Sequence, residues 1–179
     1  MLDADYLNEL IQEAYETARE KGWHAVELNT ERAVVASEIA LIHDEVSEAF
    51  AVWSDNDEEF TPQLLDELAD VALRTASLLG AVGATVERGQ GQFGWWPAMN
   101  FDRWLLELHY ACSVMVKALR EKHLTVREAV VPGGLLLLAR LYEGASKVAN
   151  EVDGRPFAEW VQDKAEHNRQ RPWRHGGVP

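Results

Sequence analysis

Thr61-Pro62-Gln63-Leu64-Leu65-Asp66-Glu67-Leu68-Ala69-Asp70-Val71-Ala72-Leu73-Arg74-Thr75-Ala76-Ser77-Leu78-Leu79-Gly80 is the stretch that decides the fold. Leu64, Leu68, Val71, Thr75 and Leu79 recur at three- and four-residue intervals, the spacing of one helix face. Thr61-Pro62 supplies an N-cap followed by the proline favoured in a first turn, so a helix over 62–79 is expected. Glu67 and Asp70 flank the apolar stripe, and Arg74 stands one turn beyond Asp70. Carboxylates at the margin of a buried face are costly unless something compensates their charge.

The preceding helix, expected over about 30–53, tells the same story. Ile39, Ile42, Val46, Ala49 and Trp53 fall in one sector at the helical rotation of about 100° per residue. Glu45 projects to the edge of that sector, Glu38 projects almost onto it, and Glu48 lies further round the same flank. Glu45-x-x-Glu48 and Glu67-x-x-Asp70 thus each point two carboxylates the same way. Four acids converging from neighbouring helices repel strongly unless a divalent cation neutralises them. Hard oxygen ligands suit Mg²⁺ or Mn²⁺, and Mg²⁺ usually meets phosphates through a few carboxylates plus water. The pattern points to chemistry on a phosphate-bearing molecule. The plainer alternative is a set of solvated acids, with Arg74 in an i,i+4 pair with Asp70.

Working outward, Tyr6, Leu7, Leu10, Ile11, Ala14 and Ala18 define a helix over 4–21 that Gly22 ends. A connection from Trp23 to Asn29 leads into the acidic helix. Residues 80–100 hold five glycines, Pro97 and Trp95-Trp96, and read as a linker or long loop with the tryptophans as its staple. Helices over 101–121 and 133–151 are expected next, joined by a Thr125–Pro132 connection. Asp153-Gly154-Arg155-Pro156 is a turn signal before a last helix over about 156–168. No stretch alternates as a strand would, so the fold is expected to be all-α. The chain reads as one domain, 1–179, with metal-binding helices in 1–80, a linker at 81–100, a second helical pair in 101–155 and a basic C-terminal helix and tail in 156–179. The second pair is where a degenerate internal duplication would lie, with Tyr110, Ser113 and Lys117 standing where acids would be wanted.

At 179 residues the chain suffices for one domain with a proper core, and its formal charge of −13 argues against electrostatic binding of duplex nucleic acid. The single Cys112 excludes an intramolecular disulfide and a cysteine zinc cluster, and fits a reducing cytosol. The start, MLDADYLNEL, has no basic then apolar signal pattern, and the apolar run at Leu135–Leu138 is too short to span a bilayer. A soluble cytoplasmic protein without membrane partners is expected. His43 and His109 read as structural, and Cys112 as a small core residue.

Leu41-Ile42-His43-Asp44-Glu45-Val46-Ser47-Glu48-Ala49, followed by Glu67-Leu68-Ala69-Asp70-Val71, resembles the MazG-like all-α nucleoside triphosphate pyrophosphohydrolases. Their signature is an E-x-x-E pair and an E-x-x-D pair on adjacent helices. The tail from Lys164 to Gly177 is similar to the K-x-x-x-N-x-x-R-P-x-x-H-G-G ending of one MazG-like subgroup. The likeness covers about 29–80 and 157–177, and no motif matches 81–156. It implies a helical bundle that hydrolyses a nucleoside triphosphate, often a deoxy or non-standard one, to the monophosphate and pyrophosphate, as in pool cleansing. It also implies that Glu45, Glu48, Glu67 and Asp70 are the Mg²⁺ ligands, and that Glu48 or Glu45 orients or deprotonates the attacking water. Such proteins usually assemble as homodimers or higher homo-oligomers.

Under the same resemblance the tail becomes a substrate contact. Lys164, Asn168 and Arg171 fall at i, i+4 and i+7, one helix face offering two cations and an amide. Arg174 and His175 extend it, Arg74 is a further cation, and Trp23 is an aromatic able to stack on a base. Without the likeness, the tail reads as a basic frayed terminus and Trp23 as core. Two other readings stay open, a dUTP-specific pyrophosphatase of the same superfamily and a non-catalytic helical interaction module. A ferritin-like di-iron bundle would need E-x-x-H on two helices, a spacing absent from this chain.

Overall fold

A computed structural model describes residues 3–23, 31–87 and 100–172. Among them the apolar periodicity is realised as six helices: α1 (Ala4–Glu20), α2 (Arg32–Asp55), α3 (Pro62–Ala81), α4 (Phe101–Leu119), α5 (Val126–Val152) and α6 (Phe157–Gln170). No strand occurs among these residues, so the fold is all-α. No helix among them is long and apolar enough to cross a membrane.

The helix read first is also the hub. α3 packs against α1, α2, α5 and α6, while α4 and α5 form a pair laid against α2 and α3. Thirteen of its 20 residues are buried, so it is apolar nearly all round. The polar exceptions in its middle, Asp66, Glu67, Asp70 and Arg74, share an arc of about 100°. One stripe of a buried helix is therefore left for chemistry. Its start follows the expected logic: the Thr61 hydroxyl accepts from the Leu64 N–H at 3.2 Å, and Pro62 opens the first turn.

The expected Thr125–Pro132 connection is the one element the structure corrects. These residues are instead the cap and opening turns of α5. Thr125 Oγ1 accepts from the Glu128 N–H at 3.2 Å, and Glu128 Oε2 accepts from the Thr125 N–H at 2.7 Å, a complete capping box. Pro132 sits inside the helix on its exposed side, while Gly133 and Gly134 are buried against Met115 and Leu79. Apolar packing on one side outweighs the hydrogen bond that the proline cannot donate.

Side chains also fasten α4 and α5 to the acidic half. The Nδ1 atoms of His43 on α2 and His109 on α4 lie 2.8 Å apart, and burial lowers both imidazole pKa values, so one neutral ring donates to the other. Arg32 donates to the carbonyls of Leu119 and Leu124 in the α4–α5 turn. Cys112 is fully buried, its thiol pushed up to about 12 by burial, as befits a core residue. The first residues after α3 lie against α1, where Asn8 donates to the Val86 carbonyl at 3.0 Å and accepts from its N–H at 2.8 Å. Trp95-Trp96 lies outside the described residues.

Gly144 on α5 faces Trp104, whose indole N–H donates to the Arg140 carbonyl at 2.8 Å. A Cβ there would stand 2.1 Å from Trp104 Cε2. Helix propensity alone would make Gly144→Ala stabilising by up to about 1 kcal/mol. The clash with a ring held by its hydrogen bond predicts the opposite sign, a loss of about 1–3 kcal/mol in urea unfolding.

Candidate functional site

Burying α3 forces its polar stripe against the equivalent flank of α2. Glu45 is only 7% exposed, and one carboxylate oxygen each from Glu45, Glu67 and Asp70 lies within 4.8 Å of the others. Glu67 and Asp70 are half-buried; Glu48 is exposed on the same side. The expected E-x-x-E and E-x-x-D acids therefore do converge, with Glu38 beside them.

The charge balance explains how the protein tolerates this. Arg74 ion-pairs with Glu45 across the α2–α3 interface, not with Asp70 along its own helix. Lys164 of α6 reaches Asp70 at 2.8 Å and Asp66 at 3.1 Å. Burial opposes the ammonium charge most, but the bonds and charges of Asp70 and Asp66 outweigh it and raise the Lys164 pKa. Two cations do not balance the acids. Burial, reinforced by Asp70 and Glu48 and opposed by Arg74, pushes Glu45 up to about 7. Burial likewise raises Glu67, against the pull of Lys164, and Glu38, against the pull of Arg74. A donor set of hard oxygens with surplus negative charge fits a divalent cation. Glu45, Glu67 and Asp70 are the residues that would hold such an ion.

A cavity of about 300 Å³ opens beside the acids. Its acidic wall is Glu38, Glu45, Glu48 and Asp70, and Arg74 and Arg171 add positive charge. Ala14, Thr17 and Ala18 of α1, all with short side chains, also line the cavity. Trp23 is brought there by a helix-ending turn. Gly22 adopts φ 77°, its N–H reaches the Arg19 carbonyl at 3.0 Å, and the Trp23 N–H reaches Ala18 at 2.9 Å. This is a Schellman motif, and only glycine takes that φ without strain.

α6 completes the site by a change of character along one face. Phe157 and Val161 are buried against the core, and Lys164 and Asn168 continue the same stripe at 9% and 7% exposure. Asn168 and Arg171 line the cavity, and Asn168 Oδ1 has no hydrogen-bond partner among the described residues. Lys21 Nζ donates to the Arg171 carbonyl at 2.7 Å, tying the ends of α1 and α6 together.

Of the residues expected at a site, the structure gathers Glu45, Glu48, Asp70, Arg74, Trp23, Asn168 and Arg171 around the cavity, with Glu67 and Lys164 beside Asp70. Arg174 lies outside the described residues. Sequence reasoning missed Asp66, which sits one position before an assigned acid, and Thr17 and Ser77, which nothing in the pattern marks. No family model matches the chain, and neither curated proteins nor solved structures give a match.

The acids carry a pH signature. Glu45 binds its proton more tightly folded, at about 7, than unfolded, near 4.5. The metal-free protein should therefore lose stability as pH rises from about 4.5 to about 7, and stay at the lower level above. Glu45→Gln should flatten that slope and raise stability above pH 7 by on the order of 1 kcal/mol, read from melting temperatures across pH. A wild-type melting temperature that climbs over this interval would count against the buried, uncompensated acid.

Proposed function

We propose that this chain is a divalent-cation-dependent nucleoside triphosphate pyrophosphohydrolase, releasing the nucleoside monophosphate and pyrophosphate. One observation carries the reading: a convergent carboxylate triad, of which Glu45 and Asp70 line a cavity that also presents two arginines and an indole. The E-x-x-E and E-x-x-D spacings shared with MazG-like enzymes support it further.

Glu45, Glu67 and Asp70, with Glu48 at the rim, would hold Mg²⁺ or Mn²⁺. Such an ion, when bound, neutralises the triphosphate and acidifies a coordinated water. The chain's own groups account for the rest. Arg74 and Arg171 offer charge to phosphate oxygens, and Arg171 can do so in the forked manner that suits them. Glu48 is exposed and has no ion pair or hydrogen bond among the described residues, so it is free to accept a proton from the attacking water. Water adds to phosphorus at the α–β bridge, the bridging P–O bond breaks, and pyrophosphate leaves. The indole of Trp23 and the small residues of α1 suit a flat base. A cytoplasmic homodimer or larger assembly belongs to the same proposal, and exposed Phe50, Leu106 and Tyr110 on α2 and α4 are compatible with it.

Pyrophosphate release from a panel of canonical and modified (d)NTPs, with Mg²⁺ and with EDTA, tests the reading and ranks the bases. Mg²⁺-dependent pyrophosphate with the matching monophosphate is expected. Glu48→Gln should lower turnover by about 100-fold or more without unfolding the protein, because its side chain carries no packing. A folded protein that releases no pyrophosphate from any nucleotide would point to a helical interaction module instead.

A further inference from the structure

Asp70 serves two masters in this fold. It belongs to the carboxylate triad, and it also holds Lys164 at 2.8 Å. An ammonium and a divalent ion at the same carboxylate repel each other, so they compete for it. Asp66, one turn earlier on α3 and 52% exposed, stands outside the triad and already touches Lys164 at 3.1 Å. The lysine thus has one partner inside the acidic cluster and a second just beyond it. A short shift of a flexible side chain would transfer it from the first to the second.

The surroundings favour exchange over a permanent staple. α6 is anchored independently by Phe157 and Val161, which are buried without any help from Lys164. One turn further along, Asn168 is 7% exposed, lines the cavity and leaves its Oδ1 without a partner among the described residues. A buried acceptor with no partner beside a cavity is a group awaiting a ligand. The stretch of α6 that carries Lys164 is therefore built toward the cavity's contents as well as toward the core.

We propose that Lys164 is an internal counter-cation that competes with a divalent ion for Asp70, with Asp66 receiving the displaced ammonium. The inference rests on the reading of Glu45, Glu67 and Asp70 as ion ligands. It adds a regulatory consequence: Lys164 sets the ion concentration at which the site loads, and holds the acids together below it. A lysine that only fastens α6 to α3 would change stability when removed, but not ion affinity.

Calorimetric titration of Mn²⁺ into the nucleotide-free protein separates these cases. Lys164→Met should bind Mn²⁺ roughly tenfold more tightly than wild type, as expected for removing one competing charge at close range. Lys164→Arg, which keeps the charge, should stay near wild type. Equal or weaker binding by Lys164→Met overturns the competition and leaves the ion site standing. Absence of Mn²⁺ binding in wild type and both variants overturns the ion site itself. Should the methionine variant fail to fold, the wild-type protein still gives an answer by NMR. Saturating Mg²⁺ should shift the Lys164 Nζ resonance as the ammonium leaves Asp70, and a resonance unmoved by Mg²⁺ overturns the proposal.

Discussion

Carboxylates crowded into a low-dielectric seam between two helices are the constraint on which this structure turns. Glu45 is nearly buried, yet Asp70 and Glu48 press their charge upon it. No apolar packing requires acids there, and isolated burial of each would cost several kcal/mol. The protein answers with two cations from opposite directions. Arg74 comes from α3 itself, and Lys164 from a helix about a hundred residues away in sequence. The compensation is incomplete, which leaves a site ready for more positive charge.

The rest of the fold serves that seam. α3 is buried by four neighbours, so its polar stripe has one direction to face. α4 and α5 cover the other side and carry none of the clustered acids; their contribution is packing, tied in by the His43–His109 contact and by Arg32. α1 supplies small side chains and, through the Gly22 turn, an indole. α6 begins as a packing helix and ends as part of the site. The clustered acids thus lie on α2 and α3, and the α4–α5 pair supplies packing.

Much of this was legible because a helix repeats its environment every three or four residues. Periodicity placed Glu45 at the edge of an apolar sector, and the structure finds it at the edge of the core. The Lys164, Asn168, Arg171 spacing was legible for the same reason. What could not be read were contacts between elements. Arg74 looked like a partner for Asp70 one turn away, whereas packing hands it to Glu45. The helical spacing put Lys164 on the cation-bearing face of α6, but its contacts with Asp70 and Asp66 come from the packing of α6 on α3. Relief of repulsion alone would make Asp70→Asn stabilising in the metal-free protein; with Lys164 nearly buried against Asp70, the substitution also removes a needed partner. The opening of α5 failed for another reason. Thr125-x-x-Glu128 is a capping box in plain sight, but Pro132-Gly133-Gly134 argued more loudly for a break. Only the tight seat of those glycines against Met115 and Leu79 shows why the helix continues.

The account stands or falls on whether the acidic seam takes up a divalent ion. Diffraction from crystals soaked in Mn²⁺, recorded near the manganese absorption edge, tests that directly. The account predicts an anomalous peak within bonding distance of Glu45, Glu67 and Asp70. Strong manganese peaks elsewhere, with none at this seam and Lys164 still on Asp70, would contradict it.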